Sequence, residues 1–176
     1  MSTILIAIDV GQFESAILTW DGKQIEYKAI LKNEAILDRL EFYRSMPINP
    51  IVKNEIPTIL IIEKIVSYGK RVGLSTFDTA YWSGRFVQTW DRKFERIPRS
   101  DVKISLCGSV KGITDTSIRA ALIDRFGEPG TKKNPNPITY GLKTHLWQAF
   151  ALAVMYWDKQ EQEKPKGKLE NGWREI

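Results

Sequence analysis

The stretch STILIAIDVG, residues 2–11, is the strongest indication of a fold class in this chain. It is an unbroken run of apolar and β-branched residues that ends in an acid, Asp9, followed at once by Val10-Gly11. A strand with one solvent-exposed face alternates apolar and polar residues, whereas a strand buried on both faces is apolar throughout. We therefore predict that residues 2–9 form a central strand of a sheet covered on both sides.

A second stretch has the same character. Residues 58–63, TILIIE, are again short, apolar and closed by an acid, Glu63. If the two strands are neighbours, Asp9 and Glu63 emerge side by side at one edge of the sheet. Carboxylate oxygens held on rigid strands are the ligands that Mg²⁺ or Mn²⁺ requires, with positions left open for phosphate and water.

The remaining elements complete an α/β pattern. Residues 14–20 and 23–30 flank Asp21-Gly22, which predicts a two-residue hairpin. Apolar spacing predicts helices over 34–44, 75–90, 100–107, 114–126 and 143–158, and a short strand over 94–97. In the helix 75–90 the core-facing positions are predicted to be Phe77, Ala80, Tyr81, Gly84 and Val87. The order β-β-β-α-β-α-β, followed by helices, predicts a mixed five-stranded sheet led by a hairpin and flanked by helices.

Length and composition limit the class of protein. With 176 residues the chain suits one domain, which we place at residues 1–158, followed by a polar tail over 159–176. One cysteine, Cys107, excludes a cysteine-based zinc site. The sequence shows neither a membrane span nor a signal peptide, so we expect a cytoplasmic protein that does not bind membranes.

Basic residues are concentrated in one part of the chain. Residues 85–133 hold eleven Lys and Arg and six Asp and Glu, so their net charge of +5 equals that of the whole chain. A localised positive excess suits a polyanionic partner, although ordinary solvated surface explains the charge about equally well.

Six segments, in this order, resemble the RuvC-type Holliday junction resolvases, and most closely their small phage-encoded relatives. The segments are IAIDVG, ILIIEKI, STFDTAYWSGRF, DVKISLCG, TDTSIRAALIDRFG and HLWQAFALAVMYW. The resemblance implies an RNase H-like fold and a metal-dependent endonuclease. It further implies two Mg²⁺ or Mn²⁺ ions, and a homodimer that acts on four-way DNA junctions.

The resemblance also implies roles for single residues. Asp9 and Glu63 match the first two metal-binding acids, and His145 matches the first ligand of the last helix. Gln148 stands where the family carries an aspartate. Since an amide oxygen is a weaker ligand than a carboxylate, this departure puts the second metal site in doubt. Asp115 is either the N-cap of its helix or a remote carboxylate of the site.

Four lysines and one tyrosine are candidate DNA contacts. Lys103 matches a family lysine near the phosphate, although a solvated helix lysine is an equal interpretation. Lys111 lies in a segment where the family is basic, and Lys132 and Lys133 suggest flexible backbone contacts. Tyr68 lies where the family places an aromatic residue near the branch point. Tyr81, Trp82 and Trp90, by contrast, are predicted to be core residues.

Two alternatives to a nuclease remain open. Gln148 allows a junction-binding protein with weak or no cleavage. The Asp9-Val10-Gly11 motif also occurs in small-molecule phosphotransferases of the actin and sugar-kinase clan. That clan normally needs two domains and a second Asp-x-Gly after a strand, which this chain lacks.

Overall fold

The computed structural model describes residues 4–46, 57–67, 69 and 71–163, and shows a sheet with helices on both faces. The strands are β1 (Ile4–Asp9), β2 (Glu14–Trp20), β3 (Ile25–Lys32), β4 (Pro57–Lys64) and β5 (Phe94–Pro98). The helices are α1 (Asn33–Ser45), α2 (Leu74–Trp90), α3 (Arg99–Cys107), α4 (Asp115–Phe126) and α5 (His145–Glu163). Both the element order and the five-stranded mixed sheet agree with the sequence-based expectation.

The apolar strand β1 lies at the centre of the sheet, whose order is β3-β2-β1-β4-β5. It pairs antiparallel with β2 and parallel with β4, and β4 pairs parallel with β5. Three parallel strands therefore end at the same edge of the sheet, and Asp9 is the last residue of the central one.

Two separate cores explain why β1 and β4 are apolar throughout. Leu5 and Ala7 pack in one core with α3, α4 and α5, whereas Ile6 and Ile8 pack in the other with α1 and α2. In β4, Ile59 and Ile61 belong to the first core. Because side chains alternate along a strand, Asp9 and Glu63 both face the side of the sheet that α3, α4 and α5 cover.

The turn between β2 and β3 is longer than predicted. The strands end at Trp20 and resume at Ile25, so the connection has four residues and the predicted two-residue hairpin is wrong. The Asp21 carboxylate accepts hydrogen bonds from the backbone N–H groups of Lys23 and Gln24, both at 2.7 Å. This side-chain turn replaces the tight turn that Asp-Gly otherwise favours.

The buried face of α2 also differs from the predicted one. Ser83, Phe86 and Trp90 are buried, whereas Tyr81 is exposed and Trp82 is half-buried. Trp90 is thus a core residue as predicted. Of the predicted core-facing positions, Val87 is half-buried, and the other four are exposed: Phe77, Ala80, Tyr81 and Gly84. Burial begins only in the second half of the helix, so the first half leaves its apolar residues uncovered.

Helix α5 continues past the predicted domain end at residue 158, to Glu163. Asp158 pairs with Arg125 of α4 through two hydrogen bonds of 2.5 and 2.8 Å. The rest of the predicted tail, 164–176, lies outside the described residues. No helix in the described ranges is long and apolar enough to cross a bilayer.

Candidate active site

Asp9 and Glu63 lie next to each other at the carboxyl edge of the sheet. Ile8 pairs with Ile62 in the parallel register of β1 and β4, and the two acids are the residues that follow. Their side chains are mostly buried, with 14% of the Asp9 side chain and 28% of the Glu63 side chain exposed. The strands therefore hold two carboxyl groups together in a place only partly open to water.

Three helices begin at the same edge, and each brings its first residue to the acids. These residues are Arg99 of α3, Asp115 of α4 and His145 of α5. The His145 Nδ1 atom lies 2.9 Å from the Asp9 Oδ2 atom. Since the amino ends of helices carry partial positive charge, three such ends add a positive field to a site formed by carboxylates.

Arg99 joins the parts of this site. Its Nη1 atom lies 3.6 Å from the Glu63 Oε2 atom. Its Nη2 atom pairs with the Asp115 carboxylate and donates a hydrogen bond to the Gln148 Oε1 atom. One guanidinium thus connects β4, α3, α4 and α5.

Sequence reasoning missed Arg99, because it placed the start of α3 one residue later and did not consider the residue that directly follows β5. A signal was present: Arg99 follows directly on Pro98, the last residue of a strand parallel to β4. The residue that follows such a strand arrives at the same edge as Glu63.

Asp115 is not the N-cap of its helix. Thr114 occupies that position, with its hydroxyl accepting from the Ser117 N–H and the Ser117 hydroxyl accepting from the Thr114 N–H. The interpretation of Asp115 as a cap is therefore wrong, and its carboxylate is turned to Arg99 instead. The structure places Asp115 and Gln148 with the site residues predicted from the sequence.

Both acids ionise less readily than usual. Burial raises the pKa of Asp9, against the opposing effects of His145 and Arg99. Burial likewise raises the pKa of Glu63 to about 7, with Arg99 and Lys103 opposing the shift and Asp9 and Asp115 adding to it. The positive groups present do not compensate for the loss of water around these carboxylates, so an added cation would favour their charged forms.

The donor chemistry of the site suits a hard divalent ion. Asp9 and Glu63 offer carboxylate oxygens on neighbouring strands, and His145 offers a ring nitrogen. Within the part of the chain that the structure describes, no group of three or more His, Cys, Asp or Glu side chains is placed to hold a metal ion, so the protein offers at most two such ligands at one position. The space between Glu63, Asp115 and Gln148 is occupied by the Arg99 guanidinium and is not free for an ion. The residues thus fit an ion beside Asp9 and Glu63, with its remaining positions open.

The turn that follows Asp9 is fixed by a buried asparagine that sequence reasoning did not identify. The Asn33 side chain is fully buried; its Nδ2 donates to the carbonyls of Gly11 and Gln12 at 3.1 and 3.2 Å. Its Oδ1 accepts from the Ser15 hydroxyl at 2.6 Å. Gly11 itself has no room for a side chain, because a Cβ atom would lie 2.2 Å from the Glu14 carbonyl oxygen.

We expect Asn33→Ala to lower the free energy of unfolding by about 2–3 kcal/mol, because it removes the donor to two half-buried backbone carbonyls and the acceptor of the buried Ser15 O–H. Urea unfolding measures this change. Glu34→Ala, at the exposed neighbouring position, is the matched control and should change stability by less than about 0.5 kcal/mol. Equal stabilities of the two variants would show that Asn33 does not fix the turn.

The predicted DNA contacts that the structure describes lie on α3 and in the connections that follow α3 and α4. Lys103 is half-buried on α3 and close enough to Glu63 to affect its pKa. Lys111 is exposed between α3 and α4, and Lys132 and Lys133 are exposed between α4 and α5. Tyr68 lies outside the described residues.

The segment that carries Lys132 and Lys133 contains several local hydrogen bonds. Asn136 accepts from the N–H groups of Ile138 and Thr139 and donates to the Phe126 carbonyl. Thr131 and Asn134 exchange backbone hydrogen bonds of 3.0 and 3.1 Å. The two lysines therefore lie at the tip of a hydrogen-bonded turn.

Comparison with known proteins identifies the fold. The structure of Thermus thermophilus RuvC superposes with a TM-score of 0.62 at 14% sequence identity, covering 91% of this chain and 96% of that one. T. thermophilus RuvC in complex with a Holliday junction substrate gives 0.59 at 14% identity, covering 92% and 96%. No protein-family model and no curated protein sequence matches the chain. The chain has the RNase H-like α/β fold of RuvC, as the sequence predicts.

Proposed function

We propose that this protein is a metal-dependent endonuclease that cleaves phosphodiesters in branched DNA, in the manner of a Holliday junction resolvase. The observation that carries the proposal is the pair of partly buried acids, Asp9 and Glu63, on adjacent parallel strands where three helices begin. Carboxylates for a divalent ion and helix amino ends for a phosphate meet at one edge, which is the arrangement that phosphodiester hydrolysis needs.

Each side chain of the site has a place in this chemistry. A bound Mg²⁺ or Mn²⁺ would lower the pKa of a water ligand and offset charge on the phosphate. Asp9 and Glu63 would hold it, and His145 orients the Asp9 carboxylate through their 2.9 Å contact. In the reaction one water oxygen bonds to phosphorus, the bond from phosphorus to one deoxyribose oxygen breaks, and a proton of the water passes to that leaving oxygen. The products are one phosphate end and one hydroxyl end.

Branched DNA is the substrate class that we propose, for two reasons. The structural neighbour RuvC, which shares the fold, has been solved in complex with a Holliday junction substrate. In this chain, three exposed lysines, Lys111, Lys132 and Lys133, lie in the connections that lead into α4 and α5, the helices that begin at the acids. A cleavage panel of four-way, flap and linear duplexes with Mg²⁺ or Mn²⁺ tests this choice. Cleavage of linear duplex at the rate of the four-way junction would contradict it.

A junction-binding protein without cleavage remains the second candidate. Gln148 supplies a neutral amide at the edge where the family carries a carboxylate, and its Oε1 is already engaged by Arg99. Binding of junctions with no product, under conditions in which the protein is folded and the ion is bound, would favour this candidate.

Replacing Lys132 and Lys133 together by alanine should make junction binding less sensitive to salt. Removing one phosphate contact lowers the slope of log K against log[salt] by about 0.9, so the slope of the double variant should be lower by about 2. Fluorescence anisotropy over a range of salt concentrations measures the slope. Lys23→Ala is the control, because its turn lies at the opposite end of the sheet from Asp9. If the double variant keeps the wild-type slope, DNA does not contact this turn.

We further propose a homodimer, since cutting both related strands of a four-way junction requires two sites related by a two-fold axis. An apolar stripe on the uncovered half of α2 supports this proposal. Leu74, Phe77 and Tyr81 share one helix face and are 84%, 63% and 59% exposed.

Phe77→Glu should therefore convert a dimer to a monomer, because it places a charge in the centre of the stripe. Sedimentation velocity at micromolar concentrations measures the mass, with Glu41→Lys on the exposed surface of α1 as the control. A wild-type protein that is monomeric both free and on junction DNA would contradict the dimer.

A further inference from the structure

The site contains a permanent positive charge, the guanidinium of Arg99, beside its acids. Arg99 contacts Glu63, Asp115 and Gln148, which come from three different elements. Its side chain is only 20% exposed, so the guanidinium is held by these partners and not by solvent. It divides the site into two sides, one with Asp9 and His145 and one with Asp115 and Gln148.

The two sides differ in what they can bind. On the Asp9 side the partner at 2.9 Å is the His145 imidazole, a group that, unlike a guanidinium, carries no permanent charge. On the other side the guanidinium is always charged and pairs directly with an acid and an amide oxygen. A second divalent ion there would have to displace Arg99 or lie against its charge.

We infer that Arg99 is the resident cation of the Asp115–Gln148 side, so that the protein binds one divalent ion and uses the guanidinium in place of a second. Gln148 then contributes to the site through its hydrogen bond with Arg99. A carboxylate at this position would attract a metal, whereas the neutral amide accepts a hydrogen bond from Arg99 and adds no negative charge to those of Glu63 and Asp115. The planar fork of Arg99 can pair with phosphate oxygens as it now pairs with Asp115. This use of Arg99 rests on the proposed function, but the number of ions does not.

The number of ions bound by the protein without DNA is the test. Equilibrium dialysis against Mn²⁺ should give one ion per chain for the wild type. Arg99→Gln, or Arg99→Gln combined with Gln148→Asp, should give two ions per chain, because the guanidinium no longer occupies the Asp115–Gln148 side. Arg96→Gln, an exposed arginine on β5, should leave the count at one. Thermal unfolding verifies that each variant is folded.

Two results would overturn the inference. One is a wild-type protein that binds two ions per chain, since Arg99 would then be displaced by metal. The other is a count of one in the wild type and in both folded Arg99 variants, since the guanidinium would not control the second position. A protein that binds one ion but cuts no DNA would leave the ion count intact and contradict only the proposed function.

The cleavage rate supplies a second, independent readout. At saturating junction DNA, and at an ion concentration that fills only the first position, Arg99→Gln should cut about 10²–10³-fold more slowly, the usual effect of removing one charge-stabilising donor. Arg99→Lys should recover only part of this loss, because a point charge cannot span the partners that the fork spans. Equal rates for the wild type and the folded Arg99→Gln variant would also overturn the inference.

Discussion

Asp9→Asn and Glu63→Gln should each reduce cleavage of a four-way junction by roughly 10³-fold or more, while the protein still folds and binds the junction. Each substitution keeps the shape of the side chain but removes a negatively charged oxygen from the place where the ion binds. Single-turnover cleavage with Mg²⁺ and then with Mn²⁺ measures the loss.

Junction affinity, measured with Ca²⁺ or a chelator, should stay the same or increase in these variants. Removing a carboxylate from a surface that approaches phosphates lowers electrostatic repulsion. Asp38→Asn, which changes an exposed carboxylate on α1 at the other face of the sheet, is the control and should cleave normally. Wild-type rates in either Asp9→Asn or Glu63→Gln would show that these acids do not hold the ion.

The second large effect is on stability without metal. Burial raises the pKa of Glu63 to about 7, so between its ordinary value and pH 7 the folded protein holds a proton that the unfolded chain has released. The Glu63 contribution to the free energy of unfolding is therefore full below the ordinary pKa of a glutamate, falls as pH rises from there to about 7, and levels off above it. The raised pKa of Asp9 acts in the same direction.

For Glu63 this loss is on the order of 2 kcal/mol by about pH 8, reduced by the exposed part of the side chain. Glu63→Gln has no charge to bury, so it should lose most of the decline and be more stable than the wild type at the higher pH. Urea unfolding in chelator over a pH series measures both effects. Glu14→Gln, an exposed carboxyl group on β2, is the control and should keep the decline. A decline that persists unchanged in Glu63→Gln would contradict the electrostatic account of the site.

The parts of the fold that were predictable are those with strong local patterns. The strands β1 and β4 are buried on both faces. Their apolar composition alone predicts that they lie in the middle of the sheet. Their closing acids, Asp9 and Glu63, could be placed together because parallel neighbours end at one edge of a sheet. Helix α5 was evident from its apolar residues, which brought His145 and Gln148 into consideration.

The parts that could not be predicted depend on contacts between distant elements. The position of Arg99 directly after β5 places it at the edge with Glu63, but no local pattern shows that its guanidinium contacts Glu63, Asp115 and Gln148 from three other elements. Asn33 resembles an ordinary polar residue before a helix, yet its side chain fixes the turn after Asp9. The core face of α2 was misassigned because the first half of this helix lies uncovered, so its aromatic spacing does not report burial.

Addition of Mg²⁺ to a preformed complex of this protein with a four-way junction tests the central claim most directly. The complex is assembled in chelator at saturating protein, and the DNA strands are analysed over time after the ion is added. We predict strand cuts in the wild-type complex only after Mg²⁺ addition, and intact DNA in an Asp9→Asn complex of equal occupancy. Intact DNA in a wild-type complex that persists with Mg²⁺, and again with Mn²⁺, would contradict the claim and identify a junction-binding protein.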